Sequence, residues 1–121
     1  MERSAPILVV DDDADCRVAL REVLEEDGFT VVEAANGQAA LDYLVSHDTP
    51  SLIILDVVMP VISGWQLLTI LRNYYRLSEI PVLMLSGCDV PLNVDNELVS
   101  RFMPKPYDAN DLVKAVHRYR A

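Results

Sequence analysis

Four short apolar runs rich in branched residues punctuate the chain: Ile-Leu-Val-Val at 7–10, Thr-Val-Val at 30–32, Leu-Ile-Ile-Leu at 52–55 and Val-Leu-Met-Leu at 82–85. A weaker fifth follows at Phe102 and Met103. Between them the apolar positions recur at helical spacing. Val18, Leu20, Val23 and Leu24 predict a first helix that stops at Gly28. Asn36-Gly37 predicts a turn, after which Ala40, Leu41, Leu44 and Val45 form a second helix. Trp65, Leu67, Leu68 and Leu71 form a third, with Trp65 packed at its start. Leu112, Val113, Val116 and Tyr119 form the last, capped by Asp108 behind Pro106. The stretch 88–100 holds Pro91, Asn93, Asp95 and Asn96 and few apolar residues, so it predicts a fourth helical region that is short or irregular, or a loop.

Strand alternating with helix specifies an α/β fold, a parallel sheet covered on both faces. The first, third and fourth runs are apolar throughout, as strands buried on both sides must be. Right-handed crossovers then give a three-layer sandwich with five strands. Periodicity leaves the strand order open. No repeat or linker interrupts residues 1–121, which are read as one domain.

Composition narrows the functional classes. The formal net charge is −9, and up to Pro60 the chain carries 13 of its 19 acidic residues but 3 of its 10 basic ones. With Lys105 and Lys114 as its only lysines, it lacks the basic footprint that grips nucleic-acid phosphates. Glu25-Glu26-Asp27 reads as a solvated face, whereas Asp11-Asp12-Asp13 directly follows an apolar run. No apolar stretch approaches the roughly 20 residues of a membrane span, and the first residues lack a signal-peptide core, so a soluble, cytoplasmic protein is expected. Cys16 and Cys88 match no metal spacing and read as free thiols; Cys88, two residues after Ser86, would face an acidic setting that does not activate a thiol. His47 and His117 read as solvated surface residues with no ligand partner.

The chemistry gathers at the strand ends. The first run leads into Asp11-Asp12, the third ends in Asp56, the fourth in Ser86-Gly87, and the fifth near Lys105-Pro106. In an open parallel sheet these C-terminal ends share one edge, where such folds bind ligands. Two like charges about 4 Å apart repel by roughly 4 kcal/mol at an effective dielectric near 20. Three converging carboxylates therefore call for a proton or a hard divalent cation such as Mg²⁺. Lys105 can pair with a phosphoryl oxygen, Ser86 can donate to one, Gly87 leaves room for it, and Asp56 can act as a nucleophile. Asp13 and Asp15 fit helix capping better and are left outside the site.

The stretches 7–12, 52–60, 82–87 and 105–106, in this order, resemble the receiver domains of two-component signalling. The resemblance spans essentially the whole chain, and the separations of 44 positions between Asp12 and Asp56 and 30 between Asp56 and Ser86 suit it. It implies the flavodoxin-like strand order 2-1-3-4-5, of which a receiver is itself a standard example. It further implies that Asp56 accepts a phosphoryl group and that Asp11, Asp12, Asp56 and the backbone carbonyl of Val58 hold Mg²⁺. Lys105 would contact the phosphoryl group ahead of a cis bond to Pro106. Ser86 and Phe102 would be the switch residues. The implied donors are phosphohistidines of a histidine kinase or phosphotransfer protein, and the implied output is a downstream target protein or a fused domain, with no direct contact to nucleic acid or membrane.

This chain departs from the family in three places. Ser86 and Lys105 are only 19 positions apart, the shortfall lying in the fourth helical region. Val99-Ser100-Arg101 replaces the usual small-residue and acidic signature before the fifth strand, so the family's dimer on that face is not carried over. Pro104 removes a backbone donor, tolerable on an edge strand. Two other functions compete: a receiver that binds partners without phosphorylation, and a phosphatase turning over through an aspartyl-phosphate. Asp11-x-Asp13 permits the phosphatase, but Asp15 stands where a hydroxyl residue is usual and the chain is short for a cap. The expectation is a switch that phosphorylates and dephosphorylates itself rather than a multiple-turnover enzyme. Whether it stands alone or was cut from a larger regulator or hybrid kinase, the sequence leaves open.

Overall fold

In the computed structural model, which describes residues 5–59, 61–74, 76–87 and 99–121, each strong apolar run becomes a strand of a single sheet. Strands β1 (Ile7–Val10), β2 (Val31–Ala34), β3 (Leu52–Asp56), β4 (Val82–Ser86) and β5 (Arg101–Pro104) alternate with helices α1 (Ala14–Glu26), α2 (Gly37–Ser46), α3 (Gly64–Arg72) and α4 (Ala109–Tyr119). All neighbouring strands are parallel, in the order β2-β1-β3-β4-β5. That is the flavodoxin-like order which the resemblance supplied and which periodicity could not.

The unbroken apolar runs are explained by the two cores. Leu8, Val10, Ile53, Leu55, Val82 and Met84 face a layer containing Ala40 and Leu44 of α2 and Leu67, Leu68 and Leu71 of α3. Their neighbours Ile7, Val9, Leu52, Ile54, Leu83 and Leu85 face Leu20 and Leu24 of α1 and Leu112, Ala115 and Val116 of α4. Side chains alternate across a strand, so a strand covered on both sides needs apolar residues at every position. Asp11, Asp56 and Ser86 are the polar residues that end these buried runs, and all three are buried themselves.

Some local expectations shift. Asn36-Gly37 is a helix start rather than a turn: the Asn36 side chain accepts from the Ala39 N–H at 2.8 Å and Gly37 opens α2. The second strand begins at Val31 and runs on to Ala34, and the fifth extends from Arg101 to Pro104. Gly28 has φ 93° just past α1, the left-handed stop expected of a glycine there. Asp108 caps α4, accepting from the Asn110 N–H at 2.8 Å. The fourth helical region expected across 88–100 lies for the most part, at 88–98, outside the described residues, as does Cys88. No helix among the described residues is long and apolar enough to cross a membrane.

Candidate functional site

The site is assembled where β1 and β3 end. Asp11 follows β1 directly, and its N–H donates to the Ala34 carbonyl at 3.2 Å, so the chain is still tied to the sheet when it turns toward α1. One carboxylate oxygen of Asp11 accepts the Asp13 N–H at 2.9 Å, and the other accepts Lys105 Nζ at 3.1 Å. Asp13 caps α1 by accepting from the Asp15 and Cys16 N–H groups. Those bonds hold its carboxyl below the usual carboxylate range. Asp13 thus has a structural task, as its place in the sequence suggests.

Asp56 is the last residue of β3 and only 8% exposed. Lys105 Nζ lies 3.5 Å from its Oδ1, so one ammonium spans Asp11 and Asp56. Burial pushes the Asp56 carboxyl up, and the Asp11 charge adds to the shift; Lys105 and the Val58 N–H pull it back without cancelling it. For Lys105, burial alone would lower the pKa, but the hydrogen bond and charge of Asp11, with the charge of Asp56, outweigh it and hold the ammonium protonated. Asp12 is exposed at the rim. Asp11, Asp12 and Asp56 each offer a carboxylate oxygen, and these oxygens lie within 4.8 Å of one another. Three carboxylates against one ammonium leave negative charge uncompensated. An all-oxygen donor set with room for water suits a hard divalent cation, so the group can hold a metal ion.

Lys105 is delivered by the end of β5. Pro104 cannot donate to the ladder, but the next N–H, that of Lys105, donates to the Ser86 carbonyl at 2.7 Å, and the Lys105–Pro106 peptide is cis. Ser86 ends β4 fully buried, and its hydroxyl has no hydrogen-bond partner among the described residues. A hydroxyl so placed can donate to an acceptor that arrives at this strand end. Phe102, half-buried on β5, stands beside Met84 in the register and against Trp65 of α3, ring centroids 5.7 Å apart. Val58 follows two residues after Asp56 and is 63% exposed. The structure thus brings Asp11, Asp12, Asp56 and Lys105 together, with Ser86 ending the neighbouring strand and Phe102 two residues back along β5.

Two contributors leave no mark in the sequence pattern. Arg17 donates to the Asp11 carbonyl at 2.7 Å and to Glu33 at 3.2 Å, bracing the turn that carries the first two carboxylates. Gly64 presses on the end of β3: a Cβ there would lie 2.3 Å from the Asp56 carbonyl oxygen and 2.9 Å from the Val57 Cα. Its N–H donates to the Val57 carbonyl at 2.9 Å, so the start of α3 is locked to the residue after Asp56. His117 lies exposed on α4, as expected of a surface residue, where it meets Asp27 at 2.6 Å and packs near the Phe29 ring.

Comparison with known proteins follows the same lines. The model of the response regulator receiver domain matches residues 7–117. The transcriptional regulatory protein CpxR of Escherichia coli strain K12 is 37% identical over 113 residues, covering 91% of this chain and 47% of that protein. The chain therefore spans about half the length of the curated relatives it matches first. A response regulator receiver protein from Pseudomonas putida superposes with a TM-score of 0.89 at 30% identity, over 98% of this chain and 99% of that one. The chemotaxis protein CheY4 of Vibrio cholerae does so with a TM-score of 0.86 at 27% identity, over 97% and 99%.

Proposed function

Since this chain belongs to the response regulator receiver domain family, we propose that it is a phosphoacceptor switch, taking a phosphoryl group from a phosphohistidine onto Asp56. The observation that carries the reading is the Lys105 ammonium, 3.1 Å from Asp11 and 3.5 Å from Asp56. A carboxylate oxygen of Asp56 attacks phosphorus, the P–N bond to the donor imidazole breaks, and the imidazole leaves with a proton. Lys105 stays protonated and can follow a phosphoryl oxygen as charge moves onto it. Asp11, Asp12 and Asp56, with the Val58 carbonyl, would hold Mg²⁺, which when bound supplies neutralisation of the phosphoryl oxygens. Arg17 and the Ala34 carbonyl keep Asp11 in place whatever occupies the site.

The donor is a histidine kinase or a phosphotransfer protein, and the cytoplasm is the compartment where it would be met. The reader is a downstream target protein or a fused output domain. The fused case is supported by relatives about twice as long, among them one whose name describes a transcriptional regulator. The domain is a one-shot acceptor that loses its phosphoryl group to water, not a multiple-turnover enzyme. Incubation with acetyl phosphate, read by intact mass, tests this. One phosphoryl group per chain is expected, and none in Asp56→Asn. An adduct that survives Asp56→Asn, or sustained turnover of small phosphate esters, would refute the reading.

A further inference from the structure

Phe102 is reached from Asp56 by two routes, and only one of them runs through Ser86. Along β4, Ser86 is two residues from Met84, and Met84 is the register partner of Phe102. The second route is backbone. The Asp56 carbonyl and the Val57 Cα lie against Gly64, whose N–H is bonded to Val57. The residue after Gly64 is Trp65, and its ring packs on Phe102 at 5.7 Å with the planes tilted by 45°. Both rings are partly buried against the core layer that holds Leu67, Leu68 and Met84. Met84 closes the loop, since its Cε lies 3.0 Å from where a Gly64 Cβ would stand.

We propose that Trp65 is a positioning residue for the switch: it holds Phe102 in its half-buried place and sets how readily phosphorylation of Asp56 moves it. The inference rests on the proposed role of Asp56. A tilted aromatic pair adds stabilisation beyond its buried area, so the Trp65 ring favours the Phe102 rotamer that touches it. Any position of Phe102 deeper under Ser86 must break or re-form that contact. Trp65 therefore weights the equilibrium between the two positions. Because it is anchored through Gly64 to Val57, a shift at the end of the phosphoacceptor strand reaches the same ring without passing through Ser86.

The chain offers a clean probe. Its only phenylalanines are Phe29 and Phe102, and Phe29 sits in the opposite core layer against His117 and Arg120. In protein labelled with 4-fluorophenylalanine, ¹⁹F NMR gives one reporter and one internal control. In the parent, Mg²⁺ with beryllofluoride should move the Phe102 resonance and leave Phe29 unchanged. In Trp65→Leu, the resting protein should already be shifted toward the activated position, by roughly 2- to 10-fold in population for an aromatic contact of this kind. Trp65→Phe, which keeps a ring and the fold, should restore most of the parent behaviour. The rate of Asp56 phosphorylation by acetyl phosphate should not change in either variant. A Phe102 resonance in Trp65→Leu identical to the parent in both states would overturn the proposal. So would an equal disturbance of Phe29, which marks general loosening. Normal labelling of Asp56 with no effect of Trp65 sinks this inference alone; absence of Asp56 labelling sinks the phosphoacceptor reading and this one with it.

Discussion

The carboxylate end of β1 and β3 and the Ser86–Phe102 end of β4 and β5 are a few residues apart and built on opposite terms. At the first, polar groups are tied down before any ligand arrives. Asp11 accepts from Asp13 and Lys105, Arg17 braces its carbonyl, and Lys105 reaches Asp56 as well. At the second, a fully buried hydroxyl has no partner among the described residues, and an aromatic ring is only half-buried. Catalytic stabilisation demands groups fixed in advance, whereas a switch demands an element with two arrangements of similar free energy. The contrast matches that division of labour, with Gly64 as the seam between the regions.

The largest effect should come from attacking the fixed end. Lys105→Ala removes the cation that Asp11 and Asp56 share, and the phosphorylation rate should fall about 10²- to 10³-fold, as for loss of one preorganised charge-stabilising group. Rapid-quench labelling with acetyl phosphate checks this, and a rate within a few fold of the parent would mean that Lys105 is not part of the chemistry. Next comes the seam. Gly64→Ala forces a Cβ into the Asp56 carbonyl, where only backbone movement makes room, so it should destabilise by about 1–3 kcal/mol in urea unfolding and slow labelling as well. An unchanged midpoint would show that the two regions are not locked together there.

A smaller effect tests the charge imbalance. The Asp56 carboxyl is raised, mainly by burial and then by Asp11, so the folded protein keeps this proton to higher pH than the unfolded chain. Without metal, its contribution to stability is present at low pH and lost as pH rises through the raised pKa. At neutral pH in EDTA, Asp56→Asn should therefore melt higher than the parent, and the gap should close on acidification. Mg²⁺ should stabilise the parent by mass action and much less so Asp12→Asn. The smallest effect belongs to the switch end. Ser86→Ala removes a hydroxyl that has no partner to lose among the described residues, so stability should change by less than about 1 kcal/mol. Phosphorylation should persist, while hydrogen exchange across β5 responds less to beryllofluoride than in the parent.

What can be read in the sequence follows from what repeats along a chain. Buried strands declare themselves by continuous apolar runs, and a polar residue that ends such a run stands out, so Asp11, Asp56 and Ser86 are legible from sequence alone. Lys105 is legible by its place after a weak fifth run. Strand order is not, because periodicity carries no information on which strands pair; the resemblance supplies it. Contacts made by the tertiary fold alone are also silent. Nothing about Arg17 foretells a bond to the Asp11 carbonyl, and no local pattern at Gly64 reveals that the Asp56 backbone lies against it. Asn36-Gly37 misleads for a physical reason, since asparagine serves equally as turn residue and helix cap. His117 finds Asp27 only because α1 and α4 share a layer.

The central claim is that Asp56 accepts the phosphoryl group beside a divalent cation held by its neighbouring carboxylates. The most direct measurement is acetyl phosphate labelling across a Mg²⁺ titration, with the acyl phosphate reduced by borohydride and the modified residue located by peptide mass. The account predicts labelling that rises with Mg²⁺, vanishes in EDTA and maps to Asp56 alone. Labelling that proceeds equally without metal, or maps to another residue, would contradict it.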